Sequence, residues 1–171
     1  MTFAASPLDA ATPKPALYAH LTEQLSGLLE GERDPIANAA NTAALIYLTL
    51  PGLNWAGFYF LRAAGDLVLG PFQGKPACVR IAPGRGVCGA AAERRRSILV
   101  ADVHAFPGHI ACDAASRAEL VVPLLDGDRL RGVLDLDSPL PGRFDAEDQA
   151  GLERIAALYV NRSDHLAIAP R

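Results

Sequence analysis

Cys78, Cys88 and Cys112 are the only cysteines of the chain, and each stands in a different setting. A free cysteine is often no more than a small core residue. Cys78 falls within Ala77–Ile81, which reads as a short strand. Cys88 follows Gly84-Arg85-Gly86 at a helix start, where the helix dipole and Arg85 would lower its pKa, unless it simply packs. Cys112 falls in residues 102–117, a stretch without periodicity, beside Asp113 and near His104 and His109. In such a loop, access to a ligand is the more expected role. His104, His109, Cys112 and Cys78 are zinc-type ligands, but their spacing matches no common ligand pair and no CxxC occurs, so no metal is expected. No Gly-x-Ser-x-Gly occurs either, which leaves a serine hydrolase without its nucleophile turn.

The acids are more informative. In Leu130–Ser138 a period of two puts Asp135 and Asp137 on the same strand face. That pair is either a solvent-facing row or a negative patch, one that binds an ammonium or retains a proton through mutual repulsion. Glu119 opens the preceding strand, and its neighbour depends on the turn at Asp126-Gly127-Asp128. A two-residue loop sets it opposite Leu136; a three-residue loop sets it opposite Asp135 and gathers the carboxyls.

The elements that must carry these side chains follow from periodicity. Leu17, Leu21, Leu25 and Leu28 recur at helical spacing and predict an amphipathic helix ending near Gly31. Asp34-Pro35 is an N-cap with proline at the first helical position. Behind it, Ile36, Ala39, Ala43, Ile46, Tyr47 and Leu50 trace one apolar face up to Pro51-Gly52. From Asn54 the period changes to two, with Trp55, Gly57, Tyr59 and Leu61 on one strand face. Leu67–Phe72, Ala77–Ile81, Ser97–Ala101, Glu119–Leu125 and Leu130–Asp137 are further strands, and an Ala-rich helix follows Gly86. The last helix starts at the N-cap Asp145 and buries Leu152, Ile155, Ala156 and Tyr159. Helices at both ends of an antiparallel sheet make an α+β domain.

The length of 171 residues suits one domain. We expect a leader over residues 1–14, the domain over 15–162 and a tail over 163–171. Half of the residues are hydrophobic and 20% are charged, which excludes a disordered chain. A net charge of −3 argues against nucleic acid and anionic membranes as partners; Arg94-Arg95-Arg96 reads as a solvated face. No apolar run approaches the roughly 18 residues of a membrane span. The opening residues do not read as a secretory signal, and three cysteines suit no disulfide framework, so a reducing, cytoplasmic setting is expected.

Asn54–Tyr59, Gly70–Lys75, Gly84–Gly89, Asp102–His104, Gly108–Asp113 and Gly132–Ser138 occur in that order. Together they resemble the free methionine-R-sulfoxide reductases, enzymes built on a single GAF domain, over roughly residues 15–160. The resemblance implies reduction of free methionine-R-sulfoxide by cysteine thiols, without a cofactor, with thioredoxin as the reductant. By position, it makes Cys112 the nucleophile and Cys78 its resolving partner, with Cys88 a third family cysteine that could itself resolve or attack. It makes Glu119, Asp135 and Asp137 the acidic substrate residues, and Trp55 and Tyr59 the wall around the methyl end. On spacing alone the two aromatics read as core. The resemblance also implies a homodimer through the opening helices. The competing reading is a GAF-type sensor that binds a small ligand without turnover.

Overall fold

The computed structural model describes residues 12–108 and 113–165. The first helix, α1 (Lys14–Leu28), buries Tyr18, Leu21 and Leu25, while Leu17 and Leu28 flank the core half-buried. In α2 (Pro35–Thr49) the Asp34 carboxylate accepts from the Ile36 and Ala37 N–H groups, both at 2.8 Å. The buried face of α2 is rotated from the expected one. Ile36 and Tyr47 are exposed, while Asn38 and Thr42 are buried. Those two polar residues can be inside because they are bonded: Asn38 donates to Ser163 Oγ and the Arg162 carbonyl, and Thr42 donates to the Asn38 carbonyl.

The remaining elements are β1 (Trp55–Leu61), β2 (Leu67–Gly74), β3 (Arg80–Ile81), α3 (Gly86–Arg94), β4 (Ile98–Val100), β5 (Ala118–Asp126), β6 (Arg129–Ser138) and α4 (Ala146–Arg162). The strand expected over Ala77–Ile81 shrinks to Arg80–Ile81, which leaves Cys78 in the link that precedes it. Asp145 caps α4 in a reciprocal box with Asp148. Buried Asp148 accepts from the Tyr18 hydroxyl at 2.9 Å and pairs with Lys14 and Arg143, fastening α1 to α4. Residues 166–171 of the expected tail lie outside the described residues; Ser163 and His165 are buried, and the Asp164 N–H donates to the Arg33 carbonyl.

Six strands form one antiparallel sheet in the order β3-β2-β1-β6-β5-β4. The period of two in β1 divides the interior. Ala56, Phe58 and Phe60 face α1, α2 and α4, together with Leu120, Leu134 and Leu136. Trp55 and Tyr59 face the other way, with Val121, Val133 and the α3 residues Val87, Cys88 and Ala91. The fold is therefore α+β, with the terminal helices covering one sheet face and α3 covering part of the other. The basic run Arg94–Arg96 is exposed. No helix among the described residues is long and apolar enough to cross a membrane.

The β5–β6 hairpin resolves the register in a way that simple loop counting misses. Asp126 pairs with Arg129 across a two-residue turn, which alone would put Glu119 opposite Leu136. The register then shifts between Leu124↔Gly132 and Leu125↔Leu130, so Arg131 is an extra residue on β6. Every later pair moves by one residue, and Glu119 meets Asp137. Gly132 makes this bulge feasible, since a Cβ there would collide with the carbonyl oxygen of Tyr59 on β1.

Candidate active site

The bulge sets two cross-strand rows on the sheet face toward α3. Trp55, Asp137 and Glu119 form one row across β1, β6 and β5; Gly57, Asp135 and Val121 form the next. The carboxyls of Glu119, Asp135 and Asp137 thereby come together and line one pocket of about 550 Å³, its mouth included. Gly57 clears room between the aromatics, because a Cβ there would collide with Phe72 and the Trp55 ring. Trp55 stacks on Tyr59 at 5.9 Å and on Phe72 at 5.4 Å between centroids. Its indole N–H donates to the Lys75 carbonyl at 3.1 Å, which fixes the ring as a wall of the pocket.

Helix α3 closes the opposite side. Arg85, its N-cap residue, makes no side-chain cap bond, and Gly86 and Val87 line the pocket at the positive end of the helix. Gly89 lets that helix press close to the preceding turn; a Cβ there would lie 2.9 Å from the Ala82 carbonyl oxygen. Cys88 projects from the first turn toward the acids, its Sγ 4.0 Å from Glu119 Oε1.

Burial dominates the electrostatics. It raises Asp135 well above the ordinary carboxyl range, with the Glu119 and Asp137 charges adding to the shift. Glu119 is raised by burial and by Asp137. Both shifts have the same sign: burial and mutual repulsion favour the protonated form of these carboxyls. Of the two expectations for Cys88, packing agrees with its place in the core and the lowered pKa is overturned: burial, then Asp135 and Glu119, push its thiol up. The helix dipole cannot offset two acids and the loss of water, and Arg85 is exposed. Cys88 is thus a protonated, buried thiol.

Of the residues singled out from sequence, Trp55, Tyr59, Cys88, Glu119, Asp135 and Asp137 all line this pocket. Cys78 is half-buried outside the lining, and its carbonyl accepts from the Tyr59 hydroxyl at 3.0 Å. Cys112 and His109 lie outside the described residues. His104 is exposed on a 3-10 turn over Val103–Ala105.

Four polar residues at the rim escaped the sequence reading. Asp113 lines the pocket and accepts from the Ala115 N–H, Lys75 Nζ and Asn54 Nδ2 at 2.9, 3.2 and 3.2 Å. These bonds hold its carboxyl below the usual range. Asn54 also donates to Ser116 Oγ at 3.0 Å, so the turn after Cys112 is tied to β1 and to the end of β2. The Asx position of Asp113, two residues before Ala115, was the available signal; Lys75 and Asn54 carried none.

The GAF domain family matches over residues 38–161. The free methionine-R-sulfoxide reductase of Escherichia coli K12 is 52% identical over 144 residues, 84% of this chain and 87% of that protein. The free methionine-R-sulfoxide reductase of Saccharomyces cerevisiae is 40% identical over 157 residues, 88% of this chain and 87% of that protein. Among solved structures, free methionine-R-sulfoxide reductase from Neisseria meningitidis in complex with its substrate aligns with a TM-score of 0.87 at 42% identity, covering 92% of this chain and 94% of that one. An acid-lined pocket under an aromatic wall, on a sheet that matches these proteins over most of its length, places the chain in the free methionine-R-sulfoxide reductase family of GAF-domain proteins.

Proposed function

We propose that this protein reduces free methionine-R-sulfoxide to methionine with its own thiols. The observation that carries the reading is the gathering of Glu119, Asp135 and Asp137 in one pocket, where burial and mutual repulsion raise the Glu119 and Asp135 carboxyls, which suits the cluster to hold a proton as well as to bind a cation. The substrate asks for both. Its α-ammonium needs a carboxylate, and its sulfoxide oxygen needs a proton as the S–O bond breaks. The α-carboxylate suits the unbonded N–H groups at the start of α3, and the S-methyl group suits Trp55 and Tyr59.

Cys112 attacks the sulfoxide sulfur as thiolate, and a raised carboxyl of Glu119 or Asp135 gives its proton to the oxygen. The sulfur of the substrate is reduced to the thioether, and Cys112 is oxidised to a sulfenic acid that carries the oxygen. Cys78 then attacks that sulfur, water leaves, and a Cys78–Cys112 disulfide remains. A thioredoxin dithiol reduces it by exchange. Cys88 serves as a thiol of last resort, since its protonated state makes it a poor nucleophile. Asp113 anchors the chain one residue beyond Cys112 to Lys75 and Asn54, which supports a role in placing the nucleophile.

This cycle needs a reducing compartment, for which we take the cytoplasm. The exposed apolar residues Ile36, Tyr47 and Leu48 on α2 support a homodimer through the opening helices. The domain runs over residues 15–162 in this reading. Incubation with free methionine-R-sulfoxide and dithiothreitol tests it: wild type forms methionine and Cys112→Ser does not. A protein that binds the sulfoxide without forming methionine is instead a sensor.

A further inference from the structure

We propose that Cys88, Glu119 and Asp135 form an inhibitory site for a thiophilic divalent cation of the zinc class. One ligand atom from each of the three residues, the Cys88 sulfur and a carboxylate oxygen of each acid, lies within 4.8 Å of the other two. The three side chains project from α3, β5 and β6, so no ligand spacing in the chain announces them. They are 4%, 5% and 6% exposed, respectively. Asp135 Oδ1 is fully buried and has no hydrogen-bond partner among the described residues. A buried, unpartnered carboxylate oxygen beside a second acid and a thiol is a cavity that asks for a cation.

The donor set selects the metal. Sulfur excludes magnesium and calcium, which take oxygen shells, whereas one thiolate with carboxylates suits zinc. Zinc bonds of about 2.3 Å to sulfur and about 2.0–2.2 Å to oxygen put tetrahedral ligands roughly 3.5 Å apart. The observed spacing of up to 4.8 Å closes to that value by about 1.3 Å at most, shared between the two side chains of each pair. The pocket mouth supplies the way in, and Asp137 lines the same cavity as a further oxygen donor. The nearby cation Lys75 does not compete, since its exposed ammonium is engaged with Asp113 at the rim. Binding forms the metal–sulfur bond and releases the Cys88 proton to water, so affinity rises with pH. The metal then occupies the acids that hold the substrate's ammonium and proton. That competition, unlike the binding itself, rests on the proposed function.

Cobalt(II) is the probe, because thiolate ligation gives it a charge-transfer band in the near ultraviolet. In the reduced Cys78→Ser/Cys112→Ser variant, Cys88 is the sole cysteine of the chain. Cobalt added to that variant without substrate should produce the band, zinc should bleach it, and adding Asp135→Asn should weaken binding by about tenfold or more. Zinc should also inhibit wild-type turnover until a chelator is added. No band from a double variant with native circular dichroism, or a band indifferent to Asp135→Asn, overturns the site. Loss of the band with methionine formation intact in wild type removes the metal site alone. A band from the double variant, together with a wild-type protein that forms no methionine, removes the proposed function alone.

Discussion

Asp135→Asn should stabilise the fold at neutral pH while impairing turnover. Burial and the neighbouring acids raise the Asp135 carboxyl well above its ordinary range in the native state. The unfolded chain gives up the same proton near about pH 4. Between those two values the native state binds more protons than the unfolded one, so stability falls as pH rises. It stops falling once pH exceeds the raised native value. Asparagine keeps the shape of the neutral acid and has no proton to lose, so the variant escapes the decline. The scale is that of the buried charge asparagine no longer risks at a site where Asp135 Oδ1 has no hydrogen-bond partner, about 1–3 kcal/mol. For a chain of this length, about 2–4 °C of melting temperature accompanies each kcal/mol, which gives roughly 2–12 °C at about pH 8. Thermal unfolding by circular dichroism at about pH 5 and about pH 8 reads the effect, which should shrink on the acid side. A variant less stable than wild type at the higher pH, or a gap equal at both, would refute the argument.

Gly132→Ala should cost about 1–3 kcal/mol, since its Cβ would strike the Tyr59 carbonyl, and should also lower turnover by disturbing the bulge that aligns Glu119 with Asp137. Urea unfolding and methionine formation check both effects, and wild-type values in each would show that the bulge is not needed. Oxidised protein collected after one turnover should contain a Cys78–Cys112 disulfide by peptide mapping, which requires their Cα atoms to approach within about 7 Å. Cys78→Ser should slow thioredoxin-coupled cycling more than the first reduction; a Cys88–Cys112 peptide would reassign the resolving role.

The helices were legible because their signals are local. Asp34-Pro35 and Asp145 act on N–H groups two or three residues away, and the leucines of α1 repeat within a turn. The same logic misplaced Ile36 and Tyr47, because the orientation of α2 also answers to the bonds of Asn38 with residues 162 and 163. The acidic cluster was legible only as two alternatives. A hairpin register depends on whether a bulge follows the turn, and the bulge at Arg131 is feasible because Gly132 can pass close to a strand remote in sequence. For Cys88 packing was legible, but the direction of its pKa was misjudged for a related reason. Its helix position was visible from Gly84-Arg85-Gly86, but its acidic neighbours arrive from β5 and β6. Properties set by one turn of chain were readable; those set by which strands meet were not.

The central claim is that these carboxyls recognise a free amino acid. Turnover of free methionine-R-sulfoxide and of its N-acetyl derivative, measured on one preparation with dithiothreitol, tests it most directly. Acetylation removes the ammonium and leaves a desolvated carboxylate without its cation, at a cost of several kcal/mol in effective terms. A preference for the free substrate of roughly a hundredfold or more is the predicted result. Comparable rates on the two substrates would contradict it, even if Cys112 proved to be the nucleophile.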